Sequence, residues 1–161
     1  MAFRFLDVFT DRPLAGNQLC VVPDSGSIST DRMQAIAREI GFSETTFVTA
    51  ASPDRYEMRI FTPVAEMPFA GHPSLGTAFL LAKEGRVRTR VTQSVAAGEV
   101  RIEVDLAAGA ARMEQLPPIF RPPVHDPDAI AEAAGIPRDD LHPDLVPQVV
   151  PGPDHLAGGD R

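Results

Sequence analysis

The sequence is short of several residue types, and each shortage excludes a class of protein. The 161 residues include a single cysteine, Cys20, which rules out an internal disulfide framework and suits a reducing compartment. A net charge of −7 argues against the clustered basic face that nucleic-acid binding needs. Apolar runs are too short to cross a bilayer, and no basic segment followed by an apolar core opens the chain. We therefore expect a cytoplasmic protein with neither nucleic-acid nor membrane partners.

Familiar catalytic signatures are missing as well. The chain has no G-x-x-x-x-G-K-[ST] phosphate loop, no G-x-G-x-x-G after a strand and no G-x-S-x-G nucleophile elbow. Its histidines show no metal-ligand spacing and have no cysteine pairs beside them: His72, His125, His142 and His155. Cys20 lies in an apolar run, which favours a small buried core residue over a nucleophile. The sequence thus predicts no metal and no cofactor.

The remaining pattern predicts mixed helices and strands. One apolar stripe at i, i+3, i+4 and i+7 predicts an amphipathic helix over 31–40, begun by Ser29 or Thr30 as the cap and ended by Gly41. Alternating or β-branched runs predict strands at 1–10, 19–22, 42–48, 56–62, 87–94, 99–106 and 111–115.

The stretch 61–83, FTPVAEMPFAGHPSLGTAFLLAK, is the centre of the predicted fold. Its second half predicts a helix that is apolar on nearly every face, and such a helix is buried inside a protein shell. The loop 70–74 before that helix would place free N–H groups and the positive end of the dipole where an anion can bind. A loop that only turns the chain is the alternative interpretation.

Glu44 is the unusual residue among the predicted strands, because acidic residues are depleted there. By the period of two, Glu44 shares a face with Thr46 and Val48. An inward carboxylate either pairs with a basic neighbour or is available for chemistry. Opposite His72 and the helix N–H groups, it is suited to abstracting and returning a proton without a cofactor.

Composition changes at residue 116, where the proline-dense LPPIFRPPVHDPD begins. Proline cannot continue a central strand, so this segment predicts a connection between lobes. We therefore divide the chain into a lobe at 1–115 and a linker with the start of a second lobe at 116–161. A short helix is predicted over 128–134, with Asp126 or Asp128 at its start, and the Gly-rich end at 151–161 is expected to be poorly ordered.

Three segments resemble the PhzF-like phenazine-biosynthesis family: DVFTDRPLAGNQLCVV at 7–22, GFSETTFV at 41–48 and IFTPVAEMPFAGHPSLGTAFLL at 60–81. With the helix between the first two, they cover most of residues 3–82. The resemblance implies an α+β, diaminopimelate epimerase-like lobe in which a curved, mostly antiparallel sheet wraps around a central helix.

The resemblance also implies a site and a reaction. Glu44 takes the position of the family's acid/base and His72 that of its loop histidine, while Gly71 and Ser74 would contact an anionic substrate. Asn17 is a weaker candidate for substrate binding, because it can also simply shape its turn. The implied function is a cofactor-independent isomerase of the trans-2,3-dihydro-3-hydroxyanthranilate type, acting on a small carboxylate. The loop carries no cysteine, which disfavours a two-thiol racemase.

The chain also departs from the family pattern. Members of that family are nearly twice as long, and they carry a second lobe that completes the cleft. This sequence therefore looks truncated. We expect two chains to assemble as a homodimer, since the missing half leaves apolar surface to cover. The alternative is a non-catalytic binding or dimerisation module that retains half of the fold.

Overall fold

The structure is a computed structural model, and it describes residues 1–115, 117–118 and 120–150. Within those residues the chain forms an eight-stranded sheet, three α-helices and a 3₁₀ turn at Arg138–Asp140. In chain order the elements are β1 Arg4–Val8, β2 Asn17–Val22, α1 Thr30–Ile40, β3 Glu44–Ser52, β4 Arg55–Phe61, β5 Glu66–Met67, α2 Gly71–Lys83, β6 Arg90–Val95, β7 Gly98–Asp105, β8 Ala110–Met113 and α3 Pro127–Ala134.

The sheet runs in the order β1-β2-β3-β4-β6-β7-β8, and β5 pairs with β4 outside this path. Neighbouring strands are antiparallel except for β2–β3 and β4–β6. Those two parallel pairs are the ones joined through α1 and α2, because parallel neighbours need a crossover. The sheet curls into a half-barrel, which confirms the predicted curved and mostly antiparallel architecture.

Helix α2 lies inside this half-barrel and contacts β1, β2, β3, β6, β7 and β8. Its buried residues come from every face of the helix, as the continuous apolar pattern predicts. The helix begins at Gly71 with Ala70 as its N-cap, so the predicted loop 70–74 is mostly the first helical turn. Pro73 is tolerated there because first-turn N–H groups have no intrahelical acceptor.

Helix α1 covers the opposite face of the sheet. Met33 and Ala37 pack in a second core cluster with Val22, Phe47 and Phe61. Gly41 ends the helix in the left-handed conformation, at φ 73°, as predicted. Ser29 occupies the N-cap position, but its side chain makes no capping hydrogen bond. The stability of α1 therefore rests on its apolar stripe and its C-terminal glycine.

Strands β1 and β2 meet closely at Gly16, immediately before β2 begins. A Cβ atom on Gly16 would lie 2.5 Å from the Val8 carbonyl oxygen, which only glycine avoids. Strand β1 ends at Val8, earlier than predicted, because Phe9 turns the chain with a φ of 64°. The resulting loop brings Phe9 to the rim of the half-barrel's interior.

The segment after β8 forms a small separate arrangement. Asp126 caps α3 by accepting a hydrogen bond from the Ala129 N–H at 3.0 Å, as one of the two predicted caps. A bridge joins Pro123 to Gln148. The predicted lobe boundary at 115/116 stays a prediction, and the end at 151–161 lies outside the described residues. Across the described part of the chain, no helix has both the length and the apolar character needed to cross a membrane.

Candidate active site

Glu44 begins β3 and points toward the central helix. Strand β3 pairs with β2 so that Glu44 lies beside Leu19. Two residues on, the Thr46 hydroxyl lies 2.9 Å from the Thr77 hydroxyl of α2, so this face of β3 is the one that meets the helix. The period-two prediction that Glu44 shares the face of Thr46 is confirmed.

His72 lies in the first turn of α2, directly opposite Glu44. Its Nε2 is 3.3 Å from Glu44 Oε2, and the two side chains are 8% and 16% exposed. Both of these atoms are buried, and neither has a hydrogen-bond partner among the residues that the structure describes. Among the described residues no lysine or arginine forms an ion pair with Glu44. The carboxylate therefore faces an imidazole and no permanent cation.

Asn17 and Ser43 lie on the other side of the imidazole. The Asn17 Nδ2 amide group is 3.2 Å from His72 Nδ1. The Ser43 hydroxyl donates to Asn17 Oδ1 at 3.3 Å. Ser43 was not predicted as a site residue, and its position beside Glu44 is the one sequence signal that could have indicated it.

Ser74 faces away from this pair, into a buried network. Its hydroxyl donates to the Ala70 carbonyl at 2.7 Å and accepts from Gln93 Nε2 at 2.9 Å. Tyr56 in turn donates to Gln93 Oε1 at 2.6 Å, and burial raises the pKa of Tyr56 well above its ordinary value, so the phenol keeps its proton. A substrate contact from the Ser74 hydroxyl would require this network to open, so the predicted role of Ser74 does not fit its hydroxyl.

Backbone N–H groups supply the remaining polar function. Helix geometry leaves the first-turn N–H groups of Gly71 and His72 without an intrahelical acceptor, whereas the Ser74 N–H reaches the Ala70 carbonyl at 3.3 Å. A negative charge is favoured at this end of a helix. Gly71 and His72 therefore offer the anion contact that the sequence predicted for Gly71 and Ser74.

Phe9 contributes an apolar wall that the sequence did not predict. Its ring centroid is 6.4 Å from that of His72, and the residue is 73% exposed although it is large and apolar. A non-glycine residue with positive φ is uncommon, and such residues gather at functional sites. Phe9 lies in a phenylalanine-rich run that the sequence predicts as a strand, so nothing in the sequence indicates its separate position.

Cys20 and two of the remaining histidines lie away from this site. Cys20 is fully buried, and burial raises the pKa of its thiol to about 11, which confirms the prediction of a core residue. His125 and His142 are exposed residues of the segment after β8. In the ranges that the structure describes, no three His, Cys, Asp or Glu side chains are grouped so that they could hold a metal ion.

A mixed sheet curled into a half-barrel around a buried helix is the architecture of the diaminopimelate epimerase-like fold. The chain belongs to the PhzC-PhzF family of phenazine biosynthesis-like proteins, whose family model matches residues 6–156. This match covers both the described half-barrel and most of the segment that follows it.

Individual relatives agree with the family. The chain is 43% identical over 144 residues to the uncharacterized isomerase mll1393 of Mesorhizobium japonicum, covering 83% of this chain and 47% of that protein. It is 50% identical over 80 residues to the trans-2,3-dihydro-3-hydroxyanthranilate isomerase of Pseudomonas aeruginosa, covering 49% of this chain and 29% of that protein. A solved structure of a predicted epimerase from Pseudomonas aeruginosa superposes with a TM-score of 0.78 at 34% identity, over 92% of this chain and 55% of that one.

The chain spans about half the length of the curated relatives that it matches along most of its own length.

Proposed function

We propose that this chain contributes the acid/base half of a cofactor-independent isomerase that moves a proton on a small carboxylate substrate. The observation that carries the proposal is the buried pair of Glu44 and His72, with 3.3 Å between Oε2 and Nε2 and no hydrogen-bond partner for either atom. Buried polar atoms normally have partners, so an unpartnered pair is a candidate for meeting a substrate.

The proposed chemistry is a transfer of one proton within the substrate. Glu44 removes a proton from a carbon atom, the electron pair shifts through the substrate, and the protonated Glu44 returns the proton to a second carbon. Substrate and product are isomers, so no oxidant, reductant or further reactant is needed. His72 assists as a hydrogen-bond partner beside the carboxylate.

The substrate's carboxylate would bind at the start of α2. The N–H groups of Gly71 and His72 and the helix dipole favour an anion there. Phe9, at the rim, supplies an apolar wall for the rest of a small ring. By analogy with the relative that carries this name, we propose trans-2,3-dihydro-3-hydroxyanthranilate or a close analogue as the substrate.

A complete cleft requires more polypeptide than this chain, in our proposal, because the matched relatives are about twice as long. A groove of about 730 Å³ lies between β1 and β8, and Leu6, Leu75 and Phe79 are among the residues that line it. This groove supports assembly of two chains into a homodimer. It is also the observation that favours the second candidate function, a non-catalytic dimerisation module.

Proton exchange in heavy water tests the isomerase proposal. The purified chain is incubated with trans-2,3-dihydro-3-hydroxyanthranilate, and deuterium incorporation at carbon is followed by mass spectrometry. We expect exchange, and we expect Glu44→Gln to reduce its rate by roughly 10²- to 10⁴-fold because the proton acceptor is lost. Glu57→Gln is the matched control, since Glu57 is an exposed residue of β4.

Two results decide against parts of the proposal. Absence of exchange in the wild-type chain favours the dimerisation module, and exchange that survives in Glu44→Gln removes Glu44 from the acid/base role. Solution mass separates the assembled form from the isolated one. A strict monomer at assay concentration contradicts the homodimer for both candidate functions.

A further inference from the structure

We infer that Asn17 is a positioning residue that selects one tautomer of His72, with the imidazole proton on Nε2 facing Glu44. This assignment differs from the substrate-binding role predicted for Asn17 from the sequence. It rests on the proposed function only for its catalytic consequence, because the tautomer itself is a property of the folded chain.

The first argument is the matching of donors and acceptors around Asn17. In the amide orientation of the structure, Oδ1 accepts from the Ser43 hydroxyl at 3.3 Å and the Nδ2 amide group lies 3.2 Å from His72 Nδ1. An amide NH₂ group can only donate. With the amide in this orientation, His72 Nδ1 is the acceptor, and in a neutral imidazole the single N–H then resides on Nε2.

The second argument comes from the opposite side of the ring and is independent of how the amide is oriented. Glu44 Oε2 lies 3.3 Å from Nε2. If Nδ1 carried the proton, the lone pair of Nε2 would face a carboxylate oxygen at this distance, which is repulsive. A proton on Nε2 faces the carboxylate favourably, and small side-chain motions can then complete a hydrogen bond. Both sides of the ring therefore favour the same tautomer.

The third argument is that Asn17 is held from both of its ends. Its backbone opens β2 opposite Val8, where Gly16 permits the close approach of the two strands. Its side-chain oxygen is held by Ser43, which directly precedes Glu44 in the chain. Ser43, Asn17, His72 and Glu44 thus form a continuous chain of contacts across β2, β3 and α2.

In this arrangement the polar side-chain atoms of Asn17 are not available to bind a substrate. Both polar groups of its side chain are already directed at Ser43 and His72, although the residue as a whole is exposed. Asn17 therefore affects the proposed reaction only indirectly, through His72. With Nε2–H toward Glu44, His72 can stabilise the carboxylate as a base, and the orientation of that proton depends on Asn17.

Nitrogen NMR of the histidine ring tests the inference without any substrate. Long-range ¹H–¹⁵N spectra of the ¹⁵N-labelled chain are recorded while the pH is raised well above about 6.5, the ordinary pKa of histidine. The His72 signals are assigned by their loss in His72→Gln. We expect Nδ1 to resonate as an unprotonated, pyridine-type nitrogen and Nε2 as a protonated, pyrrole-type nitrogen.

Asn17→Asp then replaces the hydrogen-bond donor next to His72 Nδ1 with an acceptor, because a carboxylate oxygen takes the place of the amide NH₂. We expect the His72 pattern to change to the form protonated on Nδ1, or to the doubly protonated imidazolium. Gln18→Glu makes the same amide-to-carboxylate change one residue along β2, where the side chain points to the other face, and should leave the pattern unaltered. Ser43→Ala is a second variant, expected to weaken the preference by freeing the amide to rotate.

Several outcomes overturn the inference. A wild-type His72 protonated on Nδ1, or doubly protonated at every pH, contradicts it before any variant is made. An unchanged pattern in Asn17→Asp contradicts it in the variant, provided that the remaining amide spectrum shows the fold intact. If Asn17→Asp does not fold, the wild-type spectrum and Ser43→Ala still decide. None of these readings depends on proton exchange, so failure of the proposed reaction remains a separate result.

Discussion

Two groups of buried polar side chains flank the first turn of α2, and they differ in how completely they are paired. On one side, Tyr56, Gln93 and Ser74 form an uninterrupted network that ends on the Ala70 carbonyl. On the other side, the facing atoms of Glu44 and His72 have no hydrogen-bond partner. Satisfied buried networks rigidify a fold, and unsatisfied groups are retained where they serve another purpose.

We interpret the paired group as structural and the unpaired group as the candidate for catalysis. The paired group ties the start of α2 to β4 and β6 through the hydrogen bonds of Tyr56 and Gln93 to Ser74. A breakdown of the paired group should cost stability. A change in the unpaired group should cost activity and little stability. Free energies of unfolding test this contrast directly.

The largest expected loss of stability follows from Gln93→Leu. The substitution removes the acceptor that lies 2.6 Å from the Tyr56 hydroxyl and the donor to the Ser74 hydroxyl. The Ser74 hydroxyl keeps its bond to the Ala70 carbonyl, whereas the Tyr56 hydroxyl keeps only a 3.4 Å contact with the Ser74 carbonyl, and a poorly satisfied buried group costs about 1–3 kcal/mol. We expect the free energy of unfolding to fall by about 2–4 kcal/mol in urea titrations. Gln18→Leu is the matched control at an exposed position, with an expected change within about 0.5 kcal/mol. Equal effects of the two substitutions would show that the network contributes nothing.

A smaller loss is expected from Tyr56→Phe. Removing the phenolic oxygen leaves Gln93 Oε1 unpaired but keeps the aromatic ring, so the core volume is nearly unchanged. We expect a decrease of about 1–2 kcal/mol in the same titrations. A variant as stable as the wild type would show that the Tyr56 hydroxyl contributes nothing to the free energy of unfolding, so that any contribution of the network comes from Gln93 and Ser74.

The smallest change in stability is expected from Glu44→Gln. No hydrogen bond to Oε2 is lost, and the amide keeps the shape of the carboxylate. We expect the free energy of unfolding to stay within about 0.5 kcal/mol of the wild-type value, as for Glu57→Gln. A loss above about 2 kcal/mol would make Glu44 a structural residue and would remove the contrast between the two groups.

Much of the fold could be predicted because its signals are local or periodic. The apolar stripe of α1 and the unbroken apolar surface of α2 each indicate where the helix lies, one outside the sheet and one inside it. The predicted start of α2 lies too far along the chain, because glycine at 71 and proline at 73 suggest a loop. In the first helical turn those residues carry little penalty, so the usual breaking signal does not apply.

The sequence could indicate the members of the candidate site, but it could not predict their contacts. Glu44 was indicated by an acid on an inward strand face and His72 by its place near a buried helix. The orientation of Ser74 could not be predicted, because its partner Gln93 lies 19 residues further along the chain. Phe9 could not be predicted for a different reason, since its positive φ belongs to the irregular turn between β1 and β2. Long-range partners and loop geometry leave no periodic trace.

Gly16 is a position at which a substitution would disturb the proposed reaction from outside the candidate site. It has no side chain and touches no proposed reacting atom, yet a methyl group there would collide with the Val8 carbonyl and displace the start of β2. Asn17 follows Gly16 in the chain and would move with it, which would disturb its 3.2 Å contact with His72 Nδ1. A scan of all substitutions should therefore find loss of function at a residue that no inspection of chemical groups would select.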